Sequence, residues 1–420
     1  MIRIYTCPNC GQKRVYKAGS NELVCESCGA KALISTITVD EASGAAQGVK
    51  TGPDAITESE LSTTIKCPGC GADLELDDAA AAIRCGFCDN TVVIDSRLSG
   101  VYRPARILPF QISEKDAKDH FKSWKKSGPL TPKSFKEATA RKVSGSYVPF
   151  WLYDYEVSVS MTAQAKRTEK TTANNAERTT MESYEVVRDT LAVYKDVPQV
   201  ASENYPDAAM KILEPFNYKD FQTFTAPYLA GYTAEHFTKT AEDLRAQVQA
   251  EIRKDAEDAA KATITGYDQV NVTVSNTVFQ NERVESVLLP IYKLDYDYQG
   301  KKYPIYMNGQ TGEIQGKLPK SKLKTLLWFA IPLAAVFLIT MILGLVLTKP
   351  ESASFFRQWY SWLIFGGIAG ILSLLIVSSK QGGGGPYDRR NYMENQRVQV
   401  LSAKDTMTER KVTQRDLNKK

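Results

Sequence analysis

The side chains best placed to do chemistry are eight cysteines, all within the first 88 of 420 residues. They read Cys7-Pro8-Asn9-Cys10 and Cys25-Glu26-Ser27-Cys28, then Cys67-Pro68-Gly69-Cys70 and Cys85-Gly86-Phe87-Cys88. Each cysteine has a counterpart 60 positions on, so the pattern CxxC, fourteen residues, CxxC occurs twice. A two-residue gap lets both thiolates of a knuckle face one ion, and two knuckles complete a tetrahedral four-sulfur set. Zn²⁺ takes such soft ligands, and a set with no open position for water or substrate is structural. The sequence therefore predicts two Zn²⁺ sites, Cys7, Cys10, Cys25 and Cys28 in one and Cys67, Cys70, Cys85 and Cys88 in the other. A redox CxxC occurs singly in a larger unit, not as two pairs repeated in register. Four sulfurs alone do not separate zinc from an iron–sulfur cluster.

Small elements must hold these knuckles. Val15-Tyr16 and Leu23-Val24 supply strand-like residues in the first unit, as do Leu74, Leu76 and Ile83 in the second. Units this short cannot build an adequate core, so ion binding supplies much of their folding energy. The expected organisation is zinc ribbon 1 over 1–35, a flexible linker over 36–64 rich in Ala, Gly, Ser and Thr, and zinc ribbon 2 over 65–97. Ribbon 1 carries five basic residues against two acidic, and ribbon 2 three against six. Phosphate neutralisation dominates nucleic-acid affinity, so these units argue against DNA or RNA and for a protein-binding or stabilising role. The opposed charges also suit packing of one ribbon on the other.

Residues 98–316 form a different region, dense in Tyr and Phe, with helical and strand periods alternating. Ser113 opens one helical pattern, spaced from Asp116 as in a capping box, and Tyr232-Thr233 opens a longer one to about Ala260. Each half then reaches an aromatic strand after a proline, and Pro149 overlays Pro290 as Asp154 overlays Asp295. This predicts a duplicated α+β domain. Residues 167–188 are polar and read as an exposed loop or long hairpin tip. Asp154 with Glu156, and Asp295 with Asp297, share strand faces, as solvated residues alternating with buried Tyr do. His120 and His236 sit in helical patterns as surface or packing residues. No P-loop, nucleophile elbow or dinucleotide fingerprint occurs, so no catalytic or cofactor-binding residue is expected.

The start of the sequence lacks the apolar core of a secretory signal. Toward the other end, two uncharged runs read as transmembrane helices, 325–348 and 358–379. Lys317, Lys320, Lys322 and Lys324 precede the pair, and Lys380, Arg389, Arg390 and Arg397 follow it, against Lys349 and Arg357 in the turn. That bias predicts a two-pass protein of the cell membrane with both termini cytoplasmic, where free thiols persist. Residues 380–420 then form a basic, flexible cytoplasmic tail.

Tandem CPxCG ribbons, Tyr-Val-Pro-Phe-Trp at 147–151, Leu-Pro-Ile-Tyr at 289–292 and Asn-Gly-Gln-Thr-Gly at 308–312, ahead of a hairpin anchor, resemble bacterial membrane proteins with transcription factor B-type zinc ribbons. The resemblance extends to membrane partners of phage-shock-type envelope stress systems. It implies a non-enzymatic, membrane-anchored adaptor presenting a cytoplasmic docking platform, with a PspA-like or SPFH-domain protein as partner. Homo-oligomerisation is compatible with this. The alternative is a membrane-tethered nucleic-acid-binding ribbon protein.

Overall fold

The computed structural model describes residues 2–37, 49–52, 64–100, 103–137, 143–173, 176–347, 359–379 and 389–416. Among the described residues it consists of two small β-rich four-cysteine units, a large mixed α/β domain, one long apolar helix and a second helix with a shorter apolar run. The first 100 residues give strands β1 (Ile2–Tyr5), β2 (Arg14–Tyr16), β3 (Glu22–Cys25), β4 (Lys31–Leu33), β5 (Val49–Gly52), β6 (Thr64–Lys66), β7 (Asp73–Glu75), β8 (Ala80–Arg84) and β9 (Thr91–Ile94). The large domain follows with β10 (Arg106–Ile107), α1 (Glu114–Ser127), α2 (Lys133–Glu137), β11 (Val143–Ala173) and β12 (Ala176–Val200). After α3 (Asp207–Ile212), it continues with β13 (Gln222–Thr223), β14 (Thr233–Glu235), α4 (Ala241–Ala262), β15 (Gln269–Tyr298), β16 (Lys301–Asn308) and β17 (Ile314–Gln315). The remaining elements are α5 (Lys322–Leu347), α6 (Trp359–Ser379) and β18 (Gln399–Asp416).

Two units of one connectivity make the large domain: β10-α1-β11-β12 and β14-α4-β15-β16. Their equivalence is visible in the hydrogen-bond register. β11 and β15 run antiparallel with Val148 opposite Leu289, and this pair is the pivot. Ser146 and Tyr147 pair in parallel with Thr233 and Ala234. On the other side of the pivot, Val287 and Leu288 pair in parallel with Arg106 and Ile107. The outer hairpins then begin at Phe150 with Val200 and at Ile291 with Asn308. Side chains repeat the relation. The Tyr292 hydroxyl donates to the Ile112 carbonyl at 2.8 Å, and the Trp151 indole N–H donates to the Lys239 carbonyl at 2.9 Å. Phe110 packs on Tyr292 at 4.8 Å between ring centroids, and Phe237 on Trp151 at 4.7 Å.

Both long helices of the units start at side-chain caps. Ser113 accepts from the Asp116 N–H, and Thr240 and Asp243 exchange both bonds of a capping box. The second helix thus begins at Ala241, not at Tyr232-Thr233 as the sequence suggests. Residues 233–235 are the three-residue strand β14 instead, because pairing with β11 satisfies their backbone and places Tyr232 and Ala234 in the core. The apolar face of α4 (Leu244, Val248, Ile252, Ala256 and Ala260) then covers Val157, Val159, Met161 and Ala163 of β11.

The sheet is larger than the sequence indicates. β11 and β12 pair antiparallel at 23 positions, with 167–173 and 176–188 at the far end of the ladder, and β18 lies along the outer edge of β12. The expected flexible tail is therefore a strand over 399–416, while 380–388 and 417–420 fall outside the described residues. β18 is exposed over 399–415, so its order comes from backbone bonds to β12 and ion pairs such as Arg410 with Glu182 at 3.5 Å. The expected linker also needs correction: most of it lies outside the described residues, but Val49–Gly52 pairs with all four residues of β1.

α5 is long and apolar enough to cross a membrane, and none of its apolar window is buried. In α6 the qualifying apolar run is Gly366–Ser379, shorter than a span. Among the described residues, then, one helix meets the requirement where the sequence suggests two. The turn between them, including Lys349 and Arg357, lies outside the described residues. Close packing of α6 on α5 follows from its glycines. A Cβ at Gly366 would stand 3.0 Å from the Leu333 carbonyl oxygen, and one at Gly370 2.9 Å from that of Phe329.

Candidate metal centres

Each knuckle is built the same way. The first cysteine's N–H donates to the carbonyl five residues on, and its carbonyl accepts from the N–H four residues on, as in Cys7 with Gln12 and Gly11. That fourth residue must adopt positive φ: Gly11, Gly29 and Gly71 lie between 72° and 75°, and Asp89 fills the place in the last knuckle at 56°. Glycine carries no Cβ penalty there, and Asp is among the few other residues that tolerate it.

The knuckles bring together all eight predicted ligands in two sets. Sγ–Sγ distances are 3.6 Å for Cys7–Cys28 and 3.4 Å for Cys10–Cys25, then 3.6 Å for Cys67–Cys88 and 3.7 Å for Cys70–Cys85. A disulfide requires about 2.05 Å, so none of these is one. A tetrahedron with Zn–S bonds of about 2.3 Å has edges of about 3.8 Å, close to what is observed. Each four-sulfur set could thus bind a zinc ion. Amide donors support the thiolates. Burial pushes the Cys7 thiol up, but the N–H groups of Asn9 and Cys10, together with the Cys28 and Cys10 thiols, outweigh it and bring it to about 6, while Cys10 in the same set is pushed up to about 12. At Cys88, burial is likewise outweighed by the Asn90 N–H and side-chain amide, which bring it to about 7.

The two units are interlocked rather than separate beads. β1 pairs with β9, Ile2 opposite Ile94, so Ile2 and Ile4 complete the core of ribbon 2 with Ile65, Leu74 and Val92. Arg3 pairs with Asp95 at 2.5 Å, and Lys13 bridges Glu26 at 2.9 Å and Asp89. Opposed charges therefore join the ribbons. The signal for Asp89 was present in the repeat itself, as the one acidic residue at a position otherwise held by glycine.

Both ribbons are also joined to the large domain. Ala80 and Ala82 of β8 pair with β14, continuing the sheet. The Tyr16 N–H donates to the Ala230 carbonyl, and Arg84 donates to the Gly231 carbonyl at 2.8 Å. Gly231 has φ of 91°, and a Cβ there would meet the Val15 Cβ at 2.9 Å. The two histidines part company: both ring nitrogens of His236 lie within hydrogen-bond distance of the Phe237 and Asp78 carbonyls, while His120 lines a cleft with Trp124 and Gly312. The carboxylate pairs do not converge. Asp154 accepts from the Asp196 N–H and lies opposite Arg283 in the ladder, while Asp295 lies opposite Pro304. Phe87, at the tip of the last knuckle, is 79% exposed.

Comparison with curated proteins finds the uncharacterized protein YdjG of Bacillus subtilis (strain 168), 32% identical over 348 residues, which are 83% of this chain and 99% of that protein. The chain belongs to the YdjG family. The match covers nearly all of YdjG. No family profile matches the chain, and no solved structure does.

Proposed function

We propose that this member of the YdjG family is a non-enzymatic adaptor, in which two structural zinc ribbons and a duplicated α+β body form a rigid protein-docking platform on a membrane anchor. The observation that carries this reading is the continuity of ribbon and body through the β8–β14 pairing, reinforced at Gly231. Ribbons that only swing on tethers have no need of such a joint. All eight sulfurs belong to closed sets, leaving no ligand position for substrate. Phe87 then offers an aromatic anchor on a fixed loop.

In this reading α5 and α6 cross the bilayer as a hairpin, with both termini cytoplasmic. The glycine-mediated packing of α6 on α5 supports it. A PspA-like or SPFH-domain protein of an envelope stress system is the proposed partner class. Nucleic acid is disfavoured because Arg3, Lys13 and Arg84 already face Asp95, Asp89, Glu26 and Glu114.

The test combines metal content with partner capture from detergent-extracted membranes. Wild type should hold two zinc ions per chain, and Cys25→Ser or Cys85→Ser one. A soluble partner should co-purify with wild type and be lost with Phe87→Ala at unchanged zinc content. Fewer than two ions in wild type, or a partner indifferent to the ribbons, overturns the reading.

A further inference from the structure

We propose that the corner between α1 and α2 is a docking surface for the anionic headgroups of the bilayer. This rests on the reading that α5 enters a membrane. It starts from how α5 is attached: its first turn is fastened to that corner. The Ser321 N–H donates to the Leu130 carbonyl at 2.9 Å, and the Lys324 ammonium to the Thr131 carbonyl at 2.6 Å. Leu318 is buried in the same cluster as Phe121 and Phe135. A Cβ at Gly316 would meet Trp124 at 2.9 Å, so the chain runs flush against α1 on its way to α5. The corner is thus held at the level where α5 begins.

Its charge is of one sign. No carboxylate occurs from Lys122 to Lys136, nor from Ile314 to Leu347. Lys122, Lys126, Lys133, Lys317, Lys320 and Lys322 are all exposed. Of these, Lys133 reaches a carboxylate, Glu137 at 3.8 Å. Like charges are close enough to feel one another: burial and the neighbouring Lys324 hold the Lys136 ammonium below its ordinary value. The related unit provides an internal control. The corresponding stretch of α4 mixes Arg253, Lys254 and Lys261 with Glu251, Asp255, Glu257 and Asp258. The all-basic corner is therefore particular to the unit joined to α5, which is where an anionic surface would neutralise it.

Lysines near such a surface each contribute roughly a fivefold preference, falling off within a Debye length. The experiment uses the full chain in nanodiscs of phosphatidylcholine, alone or mixed with phosphatidylglycerol, and reads amide hydrogen exchange. We expect exchange across 118–137 to slow by about tenfold in the anionic discs. The slowing should vanish at high salt and in Lys122→Gln/Lys126→Gln/Lys133→Gln, with the α4 amides unchanged throughout. Equal exchange of the corner in both discs, with α5 protected in both, overturns the proposal and leaves the anchor reading standing. Fast exchange in α5 itself overturns both. Inorganic phosphate reproducing the protection in phosphatidylcholine discs would assign the corner to free phosphate and overturn the lipid assignment.

Discussion

The two units of the large domain share one connectivity but carry different attachments. In the second, the outer edge of β14 accepts β8 and with it the ribbons. In the first, the equivalent edge of β10 takes Gln222 and Thr223, and the loop after the following helix accepts instead, at the Thr131 carbonyl, from Lys324 at the start of α5. One architecture therefore serves as a socket for the metal-binding end and as a footing for the apolar end. What differs is which edge or corner is left open, and which side chains surround it.

The largest expected effect probes the shared part. Phe110 and Phe237 hold equivalent positions, but Phe110 lies within 4.9 Å of Tyr147, Tyr232 and Tyr292 by ring centroids, whereas Phe237 packs on Trp151 at 4.7 Å. Phe→Ala in a core costs about 3–5 kcal/mol. Phe110→Ala should fall near the top of that range and Phe237→Ala near the bottom, as read by urea unfolding in detergent. A larger loss at Phe237 would break the equivalence.

A second, smaller effect separates the attachments. Glu235 stands where the first unit has Leu108, and it accepts hydrogen bonds from Ser202 and from Asn204 at 3.0 Å. Burial, and secondarily nearby Asp77, raise its carboxyl above the ordinary value, while Ser202 and Asn204 oppose the rise. A raised folded value means the native state holds the proton more tightly. Its contribution is therefore full below the ordinary carboxylate range and is lost as pH climbs through the raised value. Protection of the His236 amide, which donates across the joint to the Ala79 carbonyl at 2.8 Å, should weaken over that interval, by on the order of 1–2 kcal/mol. Glu235→Gln should flatten the dependence, while amides of β10 show none. A flat wild-type profile would remove Glu235 from the joint.

Much of this was legible in the cysteines and prolines. The 60-residue repeat identified both sulfur sets, and the overlay of Pro149 on Pro290 anticipated the register through Val148 and Leu289. The ribbons' opposed charges foreshadowed Lys13 and Asp89. Elements whose order comes from their neighbours were not legible. β18 is polar and exposed, so no alternation of apolar residues marks it, and only pairing with β12 makes it a strand. β14 is three residues long, too short to show a period of two between Tyr232 and Phe237. The docking of Tyr16 and Arg84 on residues 230–231 depends on contacts across more than 140 positions, and no local pattern records it.

The smallest effect tests whether the helix starts in the two units are equivalent. At Thr240 the box is complete: the Asp243 N–H donates to the threonine hydroxyl at 3.2 Å, and the Thr240 N–H donates back to the Asp243 carboxylate at 2.9 Å. At Ser113 the Asp116 N–H donates to the hydroxyl at 3.2 Å, and that hydroxyl, rather than the backbone, reaches the Asp116 carboxylate. Replacing an N-cap by Ala costs about 1 kcal/mol, and the reciprocal arrangement satisfies one more orphan donor. Thr240→Ala should therefore cost somewhat more than Ser113→Ala, in first-turn amide exchange of α4 and α1 respectively. The hydroxyl and N–H of Thr240 also hold the Asp243 carboxyl below its ordinary value. Its contribution is accordingly present above the carboxylate range and fades on acidification, the opposite sense to Glu235. Acid should thus loosen the start of α4 while tightening β14 a few residues earlier, and Thr240→Ala should abolish only the first. If both respond alike, the carboxylates of this unit titrate as one group, and the socket's pH response belongs to the helix rather than to the sheet edge.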